Sequence, residues 1–200
     1  MSETMKKFLL IALLFTLTLT LSACGEKDLR DTINKLNDSD NYSVVTETQL
    51  NQQKFNAVAL RADNKLAYSS DFEQFLMEKD GDQYFLYTPI TQATWNKREI
   101  NEDDFFLDTN FIVPTDHLKA RWFTFNDGAY FLDENHYDDF LDHEFFHDFD
   151  IDELYEMAIE IAEDGGVYYF MQFKQGEDIV NISAIFYDFD ITTVTKPNVA

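Results

Sequence analysis

The chain holds one cysteine, three prolines and six glycines in 200 residues, and only 15 basic residues face 38 acidic ones. A single cysteine excludes an internal disulfide, so buried apolar surface has to hold the fold together. The scarcity of proline and glycine excludes collagen-like and low-complexity architectures, and no stretch reads as an interdomain linker. The shortage of basic residues leaves a formal net charge of −23, which repels phosphate backbones and disfavours nucleic acid as a partner. No P-loop, no G-x-S-x-G elbow and no cysteine nucleophile is present, and no cofactor is expected. What the chain does have is 45% hydrophobic residues, with 20 Phe and 10 Tyr. That content excludes a disordered chain and suits one domain with a sizeable core.

The opening residues, MSETMKKFLLIALLFTLTLTLSACGEKD, put Lys6 and Lys7 ahead of an apolar, threonine-bearing run from Phe8 to Leu21. A spanning helix needs about 20 apolar residues. This run is shorter, carries its charge in front and ends in small residues, the layout of a secretory signal peptide. Leu21-Ser22-Ala23-Cys24 resembles a bacterial lipobox, which implies cleavage before Cys24 and acylation of its sulfur. Acylation accounts for a lone thiol in an exported protein, and the two chains of a diacylglycerol give stable anchoring. The expected layout is a signal peptide over 1–23, a lipidated anchor and short tether over 24–27, and a single domain over 28–200. The expected location is the extracytoplasmic face of a cell membrane, with that membrane as a partner through acylated Cys24.

Leu29, Ile33 and Leu36 stand at helical spacing and predict a short amphipathic helix ending at the Asn37–Asn41 polar cluster. From Tyr42 to Thr88 the pattern turns to short β-rich runs, YSVVTETQL, KFNAVALR, KLAYSS, FEQFLMEK and DQYFLYT. Turn residues separate them, Asp80-Gly81 giving the strongest hairpin signal, and together they predict an antiparallel meander. Residues 89–119 read as irregular, with a helical turn near Asn101–Leu107. Two further hairpins are expected, one turning at Asn126-Asp127-Gly128 and one spanning Val167–Phe189. Between them Asp150 and Glu153 read as a capping box. Ile151, Leu154, Tyr155, Ala158, Ile161 and Ala162 follow as an apolar stripe, and Gly165-Gly166 reads as a stop, so the spacing predicts a late amphipathic helix.

The segments YSVVTETQLNQQKFNAVAL, KLAYSSDFEQFLMEKDGDQYFLYT with Trp95-Asn96-Lys97, and FYDFDITTVTKP together resemble the LolA/LppX-like lipoprotein family. The resemblance spans most of residues 24–200 and includes no catalytic signature. It implies an α+β fold, a curved antiparallel sheet or half barrel, with the N-terminal helix and the late helix packed on it. It also implies an apolar cavity for acyl chains or another hydrophobic ligand. On the residues alone, aromatics of both parities, such as Tyr168, Tyr169 and Phe170, point to a sheet buried on two faces.

The segment DHEFFHDFDIDE spells H-E-x-x-H at His143, Glu144 and His147, the spacing that puts two zinc ligands and a general base on one helix face. Asp148 follows where such a helix is usually apolar, and Asp150 and Glu153 stand where a metzincin needs Gly and His. The helix expected from Asp150 would also bend the chain just after His147. A calcium loop started by Asp148, Asp150 and Asp152 fails at Glu153 and Ile159, where Gly and Glu are required. The segment therefore reads as a loop pinned by Phe140, Leu141, Phe145, Phe146 and Phe149, with its acids and histidines facing out. His143, Glu144 and His147 remain weak candidates for a cation. The expectation is a non-enzymatic, membrane-anchored protein binding a hydrophobic or amphiphilic ligand or an envelope protein partner. The alternatives are an acidic surface interaction protein without a ligand cavity, and a small zinc hydrolase using HEFFH.

Overall fold

The computed structural model describes residues 28–91, 93–107 and 112–199. The signal segment, Cys24 and the tether lie outside the described residues. Residues 28–38 form helix α1, and Leu29, Ile33 and Leu36 are its buried stripe, as the spacing predicts. Among the described residues no helix is long and apolar enough to cross a membrane.

Eleven strands follow: β1 (Asn41–Leu50), β2 (Gln53–Ala62), β3 (Lys65–Ser70), β4 (Gln74–Asp80), β5 (Gln83–Pro89), β6 (Trp95–Ile100), β7 (Phe123–Asn126), β8 (Ala129–Leu132), β9 (Glu153–Ile161), β10 (Val167–Gln175) and β11 (Asp178–Tyr187). They form one open sheet in the order β6-β5-β4-β3-β2-β1-β11-β10-β9-β8-β7. Each neighbouring pair is antiparallel. Two meanders thus meet at the centre, where Val44 lies opposite Phe186 and Thr46 opposite Ala184. The chain between β6 and β7 travels from one edge of the sheet to the other. A short helix α2 (Tyr137–Leu141) and a 3-10 helix over Glu144–Asp148 occupy the stretch between β8 and β9.

The tight turns explain the expected hairpins. Asp127 and Gly128 turn β7 into β8 with φ of 48° and 93°, the pair of left-handed residues that a two-residue hairpin favours. Alternation then sorts the side chains. Val44, Ala59, Leu66, Met157, Ile159, Tyr169, Met171, Phe173, Ile182 and Phe186 project from one face and are buried. They join the stripe of α1, Val113, Leu118, Trp122, Phe140 and Phe146 in one core. The C-terminal residues touch the second face at β4 and β6. Lys196 Nζ reaches Glu78 Oε1 on β4 at 2.7 Å, and Trp95 pairs with Val199 as a parallel bridge.

The late helix expected from Asp150 is instead strand β9, paired on both sides, to β10 and to β8. The cause is a bulge: Gln172 lies opposite Glu156 but Phe173 lies opposite Leu154, so Tyr155 is the extra residue. A bulge shifts the alternation by one position. Leu154 and Met157 therefore face the core three residues apart, which imitates helical spacing. Asp150 caps no helix. Asp152 is the residue that fixes the start of the strand, its Oδ2 accepting from the Gly176 N–H at 2.6 Å and its own N–H donating to the Lys174 carbonyl at 2.9 Å. Gly165-Gly166 ends a strand rather than a helix, and Gly165 takes φ of 86° in the turn. Residues 95–100, expected to be irregular, form edge strand β6, while the helical turn expected near Asn101 is a 3-10 turn over Glu102–Asp104.

Candidate functional site

A cleft of about 760 Å³ opens on the core face of the sheet, floored by β1–β3 and β11 and walled by the 143–149 segment and Ile112. Its apolar lining includes Phe55, Tyr68, Phe72, Phe145, Phe149 and Ile182, and Thr46, Thr48, Ser70, His143 and Glu144 add polar groups. Sheet register places these side chains. Thr48 faces Phe55 across β1 and β2, and Ala57 faces Ser70 across β2 and β3. Phe55 and Phe72 pack at 5.3 Å between centroids at one rim.

The opposite wall is an aromatic chain. Phe140 is fully buried and meets Phe146 at 5.0 Å. Phe146 meets Phe145 edge-on at 5.0 Å, Phe145 stacks on Phe149 at 5.2 Å, and Phe149 meets Phe173 of β10 at 6.0 Å. The anchoring expected of these phenylalanines is therefore present. The outward placement expected of the two histidines of this segment holds for one of them. His147 is exposed, but the His143 side chain is only 12% exposed. His136 stacks on the buried Trp122 at 5.6 Å, with Asp139 Oδ2 at 3.1 Å from its Nδ1.

His143 is the cap of the 3-10 helix, with extended backbone at φ −72° and ψ 141°, so it stands outside the helical turn that carries His147. The two histidines do not share the face of one α-helix, the arrangement H-E-x-x-H needs. Expectation had attributed the break to a helix starting at Asp150; its source is the cap itself. His143 Nδ1 accepts from the Phe145 N–H at 3.1 Å. The hydrogen of the neutral ring consequently sits on Nε2, which lies 3.0 Å from Asp116 Oδ1.

Asp116 and His117 come from a turn far from His143 in sequence. The Leu118 N–H closes that turn on the Thr115 carbonyl at 3.3 Å, and Thr115 Oγ1 donates to Asn37 Oδ1 at the end of α1, 3.1 Å away. The His117 ring stacks on Phe140 at 5.3 Å and on His143 at 4.2 Å. Its Nε2 donates to the Phe140 carbonyl at 2.9 Å, which leaves Nδ1 as the acceptor nitrogen. That Nδ1 is buried without a hydrogen-bond partner among the described residues. Burial first, then the neighbouring His143, holds the His117 pKa below the ordinary histidine value against the opposing pull of the Phe140 carbonyl and Asp116. The ring is thus neutral at pH 7.

Among the described residues, Asp116, His117 and His143 form the one group of three such side chains whose ligand atoms gather within 4.8 Å. Glu144 and His147 are not in that group. Asp116 and His117 carried no signal in the sequence, since an Asp-His pair in an irregular stretch has no spacing code. Only the fold brings it to His143. No protein-family model matches this chain, and the curated proteins compared with it contain no match.

Proposed function

We propose that this protein is a membrane-anchored extracytoplasmic lipoprotein, non-enzymatic, that holds a hydrophobic or amphiphilic ligand in the cleft on the core face of a curved sheet. The cleft carries the reading. Its volume lies in the range of small-molecule sites, and its mostly apolar lining with a few polar groups is their usual chemistry. Thr46, Thr48 and Ser70 on the floor and His143 and Glu144 on the wall offer hydrogen bonds to a polar head, while Phe145, Phe149 and Phe55 suit a chain or ring. Support for the location comes from the lipobox-like Leu21-Ser22-Ala23-Cys24. The open antiparallel sheet with a covered face is what the resemblance to LolA/LppX-like proteins leads one to expect.

Two measurements test this. Solvent extraction and mass spectrometry of the chain purified as a Cys24→Ser variant should recover an amphiphile at stoichiometric amount. Ala57→Trp places a large ring in the cleft and should weaken binding of a fluorescent fatty-acid analogue by roughly tenfold or more, about 1.4 kcal/mol. Protein that is consistently empty and takes up no analogue would sink the carrier function. The second reading, an acidic surface protein acting through contacts, is favoured by the exposure of Phe72 and Phe125, at 76% and 56%. It predicts loss of partner capture in Phe125→Ser, a residue outside the cleft lining.

A further inference from the structure

We propose that Asp116, His117 and His143 bind a divalent transition-metal cation of the zinc class at the border of the cleft. The donor set is two imidazole nitrogens and one carboxylate oxygen, which suits Zn²⁺ and its neighbours better than Mg²⁺ or Ca²⁺. At zinc–nitrogen distances near 2.0–2.1 Å, tetrahedral ligand atoms stand about 3.3 Å apart. The observed separations from Asp116 Oδ1 bracket that value: 3.0 Å to His143 Nε2 and 3.9 Å to His117 Nδ1.

His117 is already arranged as a ligand. Its Nε2 donates to the Phe140 carbonyl, the outer contact that fixes the tautomer and orientation of a metal-bound imidazole. Its Nδ1 is left buried with no hydrogen bond among the described residues; a buried polar atom in that state costs stability unless something uses it. Metal coordination is such a use. His143 differs, because the hydrogen on its Nε2 occupies the position the cation would take. Binding shifts that hydrogen to Nδ1 and gives up the cap bond from the Phe145 N–H. Phe145 and His143 both line the cleft, so the cation sets the geometry of that wall, and the remaining coordination position faces solvent or a bound anionic head.

The site stands independently of the carrier function, and its test is separate. Full-length Cys24→Ser chain, stripped with chelator, is titrated with Zn²⁺ in a millimolar excess of Mg²⁺, which occupies nonselective surface carboxylates. One Zn²⁺ per chain is expected, with binding weakened roughly 100-fold in His143→Ala and in His117→Ala and unchanged in His147→Ala. Circular dichroism selects the variants that fold, and Asp116→Asn, an isosteric change at a half-exposed side chain, supplies a third arm with at least a tenfold loss. Zn²⁺ that Mg²⁺ displaces, or affinity equal in wild type and in every folded variant of the trio, overturns the proposal.

Discussion

Glu78 shows how one residue sets a pH dependence. Its carboxylate is 2% exposed, accepts a hydrogen bond from Tyr87 Oη at 2.7 Å and pairs with Lys196 Nζ at 2.7 Å. Burial alone would raise its pKa. The hydrogen bonds from Lys196 and Tyr87 and the charges of Lys196 and Lys65 outweigh that and hold it below the ordinary carboxylate value. The same bond raises the Lys196 pKa, and burial with the bond to Glu78 pushes the Tyr87 hydroxyl up. A group with a depressed folded pKa adds stability that is present above its unfolded value and lost as pH falls through the folded one. Lys196→Met removes the strongest of the lowering contacts. Burial then lifts the folded Glu78 pKa toward or above its unfolded value. The variant should therefore be less stable near neutral pH and should lose less stability on acidification, a shallower acid limb read by urea unfolding from about pH 6 down to about pH 3. Lys54→Met, which breaks the exposed pair with Glu47, should leave the acid limb where it was, since such pairs contribute little. Coincident acid limbs in wild type and Lys196→Met would refute the role assigned to the C-terminal contact.

At the level of elements, β9 decides between two accounts of one segment, and a single substitution separates them. Glu160 is exposed on β9, opposite Tyr168 on one side and Ala129 on the other. In a helix, Glu160→Thr would cost about 0.5 kcal/mol. In a strand flanked on both sides, a β-branched residue gains, by up to about 1 kcal/mol. The structure predicts the gain, with Glu163→Thr, beyond the end of the strand, as the control for the lost charge. Equal midpoints in urea, or a loss at position 160, would favour the helix. The same contrast explains what was legible in the sequence. The β1–β5 meander was, because its strands alternate without a bulge and Asp80-Gly81 and its counterparts punctuate them. The stripe of α1 was legible from Leu29, Ile33 and Leu36. β9 was not, because Glu, Leu, Met and Ala favour helices and the bulge at Tyr155 breaks the period of two. Nor was β6, whose residues Asn96, Lys97, Arg98 and Glu99 lie exposed on an edge with no apolar alternation. One of the three residues of the candidate site was visible, His143. Asp116 and His117 depend on the path of the chain from β6 to β7, which no local pattern encodes.

For the molecule as a whole, charge is the feature that no element accounts for. A formal net charge of −23 lies on a compact chain in which, among the described residues, lysine and arginine make three ion pairs: with Glu47, Asp40 and Glu78. The remaining carboxylates repel one another, and folding brings them closer together, so the folded state bears the larger part of that repulsion. Added salt shortens the Debye length from about 30 Å at 0.01 M to about 8 Å at 0.15 M, which screens this repulsion across the surface. It weakens the pair at Glu78 less, because that carboxylate is buried although Lys196 is half-exposed. The net effect of salt should therefore be stabilising, a rise in the thermal midpoint of about 2–8 °C between those two concentrations of NaCl, given about 2–4 °C per kcal/mol for a chain of this size. Scanning calorimetry across a salt series checks it. A midpoint that falls with salt would mean that local ion pairs outweigh the collective repulsion. In that case the acidic surface would be part of the stabilising structure and not a solvating layer tolerated by a strong core.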